Sequence, residues 1–323
     1  MGAPNVLVVG GSGFVGRHLV AALAARGARV TVPTRRRERA KHLLPLPTVE
    51  VVEADVAQPG VLAQLAAGRD VVVNLVGVLH SRRGRRDERG PNDYGPDFAR
   101  AHVELAQAVV NACRAAGVKR LLHMSALGAD PQGPSEYLRS KGIGEGVALA
   151  AEDIAVTVFR PSVIFGPEDS FLNLFATLAR LTPVIVLACP EARFQPVYVG
   201  DVARAFLAAL EDRAAHGKRY DLGGPRQYTL RELVQAVCAI IGRRRLVIGL
   251  GPGLSMLQAR LLELSPVKLM TRDNVRSMQV PSVCATPFPF GIEPAALEAL
   301  APSWLAPSGA RERFPALRTH ARR

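Results

Sequence analysis

The segment Val8-Val9-Gly10-Gly11-Ser12-Gly13-Phe14-Val15-Gly16 constrains this chain more than any other. It sets a glycine-rich turn directly after an apolar run, Val6–Val9, and directly before an amphipathic stretch, Phe14–Arg26. Gly10 allows the tight bend, Gly13 lets the backbone approach a bound group, and Gly16 lets the helix pack closely on the strand. The N–H groups around Ser12, Phe14 and Val15 are then free to receive an anion at the helix start. Strand, glycine turn and helix in this order predict a dinucleotide-binding βα unit.

Five further apolar runs follow, Arg29–Val32, Val49–Val52, Val71–Leu75, Arg120–Met124 and Val156–Arg160, each bounded by turn residues. Their lack of alternation implies strands buried on both faces of a parallel sheet. Phe98–Ala115 and Ser135–Ala151 read as helices between them, with Phe98, Leu105, Val109 and Cys113 at helical spacing toward the sheet. The fold class expected is α/β, a Rossmann-type doubly wound parallel sheet with a smaller C-terminal α/β lobe. We place a nucleotide-binding domain at 1–165, the smaller lobe, interleaved with it, at 166–310, and a basic flexible tail at 311–323. In the lobe Phe171–Leu181, Asp201–Leu210, Leu230–Ile241, Leu254–Leu264 and Pro294–Leu305 read as helices, and Arg219–Leu222 and Val247–Leu250 as strands. The stretches Ser81–Gly90 and Arg311–Arg323 are basic and aperiodic and are expected to be mobile.

Composition narrows the classes. The 48% hydrophobic content over 323 residues supplies a full core and excludes a disordered chain. No apolar run reaches the roughly eighteen residues of a membrane span, and no secretory leader precedes the first strand, which predicts a cytoplasmic protein. Cys113, Cys189, Cys238 and Cys284 lie far apart without a C-x-x-C pair and read as reduced thiols; the histidines show no metal spacing, so no metal site is expected. A net charge of +13, 41 Lys and Arg against 28 Asp and Glu, is concentrated at Arg35–Arg39, Arg82–Arg89, Arg243–Arg245 and the tail. No nucleic-acid module accompanies it. It reads either as a solvated basic surface or, with the apolar Leu254–Leu264, as a docking face for an acidic partner or the inner face of a membrane.

About twenty residues past the glycine loop, NAD-specific proteins place an acid on the ribose 2′-hydroxyl. Here the sequence is Val32-Pro33-Thr34-Arg35-Arg36-Arg37. Arg35 and Arg36 suit a 2′-phosphate through their planar donor forks, so NADP(H) is preferred, with NAD(H) the alternative. Asp55 and Val56, past the third strand, are placed near the adenine, and Leu75, Val76 and Gly77, ending the fourth, along the nicotinamide side. Asp55 capping its own turn is the competing reading.

Tyr137-Leu138-Arg139-Ser140-Lys141 sets a phenol and an ammonium one helical turn apart, on one face. A nearby cation would lower the phenol's pKa toward that of a general acid or base, and Ser125, twelve residues upstream at a strand end, could hydrogen-bond a substrate oxygen. His123 reads as a packing residue within the strand.

With these blocks the chain resembles the extended short-chain dehydrogenase/reductase superfamily, and in particular its atypical branch, that of the NADPH-binding accessory subunit of respiratory complex I and its bacterial relatives. The resemblance rests on Gly10-x-x-Gly13-x-x-Gly16, on Gly117 to Leu127, on Tyr137 to Lys141 and on Arg160 to Pro167. It continues through Asp169 to Asn173, Gln195 to Val199, Asp201-Val202 and Thr271 to Asn274. It implies that Tyr137 is the general acid/base, that Lys141 binds the nicotinamide ribose, and that Ser125 polarises the substrate. It also sets Pro161, Ser162 and Val163 against the nicotinamide, and Tyr198 and Asp201 beside the cleft. The implied activity is hydride transfer at a carbonyl or alcohol carbon of a small-molecule substrate. The alternative is a nucleotide-loaded scaffold or assembly factor of a respiratory or quinone-related complex, without turnover. A nucleotide-sugar epimerase or dehydratase is the weaker reading, because the longer Ser-to-Tyr separation and the Tyr-Gly pair usual there are absent.

Overall fold

The computed structural model describes residues 3–82, 93–265 and 269–306. Most of the loop at 81–90 and all of 311–323, both read above as mobile, lie outside the described residues.

In chain order the elements are β1 (Asn5–Val9), α1 (Phe14–Ala25), β2 (Arg29–Thr34), β3 (Val49–Glu53), α2 (Val61–Ala66), β4 (Val71–Asn74), α3 (Leu105–Ala116) and β5 (Arg120–Met124). They continue with α4 (Glu136–Leu149), β6 (Ala155–Pro161), α5 (Phe171–Leu181), α6 (Val199–Glu211), β7 (Lys218–Leu222), α7 (Leu230–Ile240), α8 (Pro252–Leu262) and α9 (Arg272–Ser277). Seven parallel strands form the main sheet in the order β7-β6-β5-β4-β1-β2-β3. The chain winds outward in opposite directions from β1 and β4, and this reversal opens a crevice at their C-terminal ends.

Both faces of the sheet are covered, as the unalternating strands require. Leu19 and Leu23 of α1 and Val202 and Phe206 of α6 pack with Val6, Val8 and Val30 on one face. Leu62 of α2, Leu105, Val109 and Cys113 of α3, and Ala148 of α4 pack with Leu7, Val72 and Val158 on the other. Residues beyond 165 therefore return to the main sheet through α6 and β7. A third core joins α5, α7 and the short turns Leu297–Leu300 and Pro302–Leu305, with Phe165, Leu172, Leu233 and Val237 at its centre.

Two local expectations are corrected. Phe98 does not face the sheet: α3 is preceded by Pro96–Phe98 and a π-helical segment, Ala99–Glu104, whose wider turn takes Phe98 out of register with Leu105. Phe98 stacks instead on His102. Pro294–Leu305 is not one helix, because Pro302 has no N–H to continue the ladder and the segment breaks into two single turns. The six-residue α2 was not anticipated, being too short to show a period.

Candidate active site

The glycine turn is built as its sequence demands. Gly10 has φ +87°, and a Cβ on Gly16 would sit 2.4 Å from the Gly10 carbonyl oxygen and 2.5 Å from Gly11 Cα. Helix α1 starts against strand β1 with no room for a side chain there. Gly13 caps α1 without a side-chain acceptor, and the first turn holds no acid, so its leading N–H groups are left to the cleft. The Phe14 ring lies against Gly166 and edge-on to His18.

Beside this turn a cleft of about 1000 Å³ is lined by Gly10, Ser12, Thr34, Arg35, Asp55, Val56 and Val76. Arg35, Arg36 and Arg39 enclose a further recess of about 240 Å³. The Thr34 hydroxyl donates to the Arg36 carbonyl at 3.1 Å, which fixes the backbone as it leaves β2. Asp55 accepts from the Ala57 N–H at 3.1 Å, so it caps its own turn while lining the cleft. Arg39 belongs to the basic run, but only the short 3₁₀ turn Arg37–Leu43 brings it back to Arg35.

At the other end of the crevice lies a buried polar cluster. Lys141 donates from Nζ to the Met124 carbonyl at 3.1 Å, one residue before Ser125. Gly77 lies against it, since a Cβ there would be 3.1 Å from Nζ. Ser125 is buried, and its Oγ has no hydrogen-bond partner among the described residues. A buried hydroxyl without a partner is costly in a structure that needs nothing more from it, and suits one that receives a ligand oxygen. Pro161 to Val163 are clasped between β7 and the lobe: Ser162 N–H donates to Leu222, and Ser162 Oγ to the Ser282 carbonyl at 2.7 Å.

His102 was not singled out from the sequence. The Val78 N–H donates to its Nε2 at 3.1 Å, so Nδ1 carries the proton and donates to Ser140 Oγ at 2.8 Å. Ser140 Oγ in turn donates to the Tyr137 carbonyl at 2.9 Å. The His102 ring also lies edge-on to Tyr137, with centroids 5.7 Å apart. His102 therefore joins the Gly77–Val78 turn to the helix carrying Tyr137. His123 packs within β5 as expected, with Asn74 donating to its Nδ1 at 3.3 Å. Asp273, on α9, accepts from the N–H groups of Glu136 at 2.7 Å and Tyr137 at 3.1 Å. The lobe thus caps the helix of Tyr137. Asp201 spends its carboxylate on Arg204 and the Ala295 N–H.

The electrostatics differ from the sequence expectation for Tyr137. Burial pushes the phenol up to about 12. Burial also pushes Lys141 down to about 8, against the pull of Glu145. A phenol at that value stays protonated at neutral pH. His102 and His123 are held low by burial and then by the Lys141 charge. No cluster of His, Cys, Asp or Glu suited to a metal occurs among the described residues.

A doubly wound sheet with a glycine-turn cleft at its switch point defines a nucleotide-binding α/β protein of Rossmann type. More particularly, the chain belongs to the NAD dependent epimerase/dehydratase family, whose pattern matches residues 6–223. It is 30% identical over 302 residues to the mitochondrial NADH dehydrogenase (ubiquinone) 1 alpha subcomplex subunit 9 of Mus musculus, covering 90% of this chain and 77% of that one. It is 35% identical over 204 residues to the ceramide reductase of Caulobacter vibrioides, covering 63% of this chain and 60% of that one. Among solved structures it is similar to MoeE5 in complex with UDP-glucuronic acid and NAD, with a TM-score of 0.62 and 25% identity over 76% of this chain and 85% of that one. Its relatives thus include both a respiratory-enzyme subunit and a reductase.

Proposed function

We propose that the protein is an NADP(H)-dependent oxidoreductase that reduces a carbonyl carbon to an alcohol. The observation that carries this reading is the unpartnered, buried Ser125 hydroxyl next to the carbonyl that anchors Lys141. The dinucleotide, when bound, supplies the hydride to the carbonyl carbon. Ser125 then hydrogen-bonds the carbonyl oxygen, and the Tyr137 phenol gives that oxygen its proton. An ammonium has three donors, so Lys141 keeps two for ribose hydroxyls after serving Met124. The cradle suits a dinucleotide: Gly10, Ser12, Gly13, Phe14, Val15 and Gly16 would offer backbone to the pyrophosphate, Asp55 and Val56 would border the adenine, and Leu75 to Gly77 would lead to the nicotinamide. Arg35, Arg36 and Arg39 surround a recess with the charge for a 2′-phosphate. The ceramide reductase among the relatives supports the class of reaction.

Tyr137→Phe tests the chemistry. Turnover of a carbonyl substrate should fall by about a hundredfold or more, the range of a lost general acid, while NADPH affinity stays within twofold. A second reading, a stably nucleotide-loaded subunit of a respiratory assembly, is favoured by the 30% identity to the NADH dehydrogenase subunit across 90% of this chain. Release of co-purified nucleotide over many hours, with no phenotype in Tyr137→Phe, would select it. Rapid exchange with NADPH preferred over NADH would select the reductase.

A further inference from the structure

The small lobe carries an apolar face unrelated to the nucleotide cleft. Its parallel two-stranded ribbon, Val184–Leu187 with Leu246–Gly249, pairs Val184 with Leu246 and Val186 with Ile248. Ile185 and Leu187 point into the lobe core, so the other four side chains point to solvent together. Helix α8 carries further exposed apolar side chains. Leu254, Leu257 and Leu261 recur on one side of it, each more than half exposed, and Leu264 beyond its end is 82% exposed. The helix is seated on the ribbon by Gln258, which donates to the Val186 carbonyl at 3.1 Å, and by Ser255, which accepts from the Cys189 N–H at 3.1 Å. The ribbon and the helix joined to it thus both present exposed large apolar side chains, a concentration that monomeric proteins rarely expose.

Cations flank the elements of this face along the chain. Arg180 lies just before the first ribbon strand, where it donates to the Leu305 carbonyl, Arg243 and Arg244 lie just before the second, and Arg260 lies on α8; all four are exposed. The neighbouring acids are engaged elsewhere, Glu191 by Arg231 and Glu263 by Arg272.

We propose that this face docks on a bilayer bearing anionic lipid. Leucine and isoleucine side chains would enter the acyl boundary while the arginines meet phosphate headgroups. A second copy of the chain is the poorer occupant, because a two-fold interface sets the same patch against itself and would bring the flanking arginines together. No helix among the described residues is long and apolar enough to cross a membrane, so attachment through this face is peripheral. Helix α8 packs on α9, which caps the helix of Tyr137, so the bilayer would lie beside the site. The proposal does not depend on the reductase reading.

The test is co-sedimentation of the full chain with vesicles of phosphatidylcholine alone and of phosphatidylcholine with phosphatidylglycerol, at low and high salt. Binding is expected only with phosphatidylglycerol and should weaken with salt. Leu254→Ser, Leu257→Ser and Leu261→Ser together should weaken it by about tenfold or more. Arg243→Gln with Arg244→Gln should weaken it by about fivefold per arginine. Retained melting temperature shows that each variant is folded. Absence of binding to phosphatidylglycerol vesicles at low salt overturns the proposal, as does binding unchanged in both variants. It is also overturned if the wild-type protein is a dimer that the leucine variant dissociates while vesicle affinity stays the same.

Discussion

The Lys141 ammonium donates to the Met124 carbonyl across 3.1 Å, deep beneath the C-terminal edge of the sheet. Burial costs this charge more than the hydrogen bond returns, since its pKa falls to about 8 from the usual 10.5. A lysine depressed in the folded state destabilises the fold fully below about pH 8, and the cost fades as pH rises toward 10.5. Lys141→Met, of similar volume, should therefore raise stability at pH 7 by about 1–3 kcal/mol while abolishing turnover. The gain should shrink between pH 8 and pH 10.5 in urea titrations. A variant less stable than wild type at pH 7 would show that the ammonium supports the fold rather than burdening it.

The arginine recess gives a second expectation. Arg35→Ala with Arg36→Ala should weaken NADPH by about ten- to hundredfold, the range for lost charge-assisted bonds, and leave NADH within twofold. Adding Arg39→Ala should deepen the NADPH loss alone. Nicotinamide fluorescence titration reads both affinities. Equal losses for the two nucleotides would remove the 2′-phosphate from this recess.

The parts legible in the sequence were those with local rules. Unbroken Val and Leu runs announce strands covered on both faces, and Gly10, Gly13 and Gly16 announce a turn with a backbone-lined cradle. Tyr137 and Lys141 share a helix face because four residues make about one turn. What stayed hidden depends on contacts between distant segments. Nothing near His102 signals that its imidazole joins Val78 to Ser140. Asp273 caps a helix start 137 positions away from it in sequence. The pKa of Tyr137 was misjudged because spacing reports the neighbouring cation but not the depth of burial, and burial dominates.

Two helical glycines with opposite surroundings separate packing from propensity. In α1 a Cβ on Gly16 would strike backbone atoms at 2.4–2.6 Å, and backbone does not yield as a side-chain end does. Gly16→Ala should cost about 2–3 kcal/mol or more and abolish nucleotide binding, because α1 must back away from the turn. In α4 a Cβ on Gly146 meets nothing within 4 Å. Gly146→Ala should instead stabilise by about 0.5–1 kcal/mol through helix propensity. Thermal melts of the two variants should move in opposite directions.

Acid should loosen this fold through its buried histidines before its carboxylates titrate. His123 keeps a folded pKa of about 3 against 6.5 when unfolded, with burial the main cause and the Lys141 charge the second. Below pH 6.5 the unfolded chain takes up a proton that the native state refuses, so stability falls as pH drops toward 3. The slope from one such group approaches about 1.4 kcal/mol per pH unit, and His102, lowered for the same reasons, adds in the same sense. Urea titrations at pH 7, 6 and 5 should show this slope, and His123→Asn should flatten it by about 1 kcal/mol per unit whatever its effect at pH 7. The slope isolates proton uptake, because a packing defect left by the shorter side chain shifts stability equally at every pH. An unchanged slope in His123→Asn would mean that the imidazole already takes its proton in the folded protein, at the cost of the bond it accepts from Asn74.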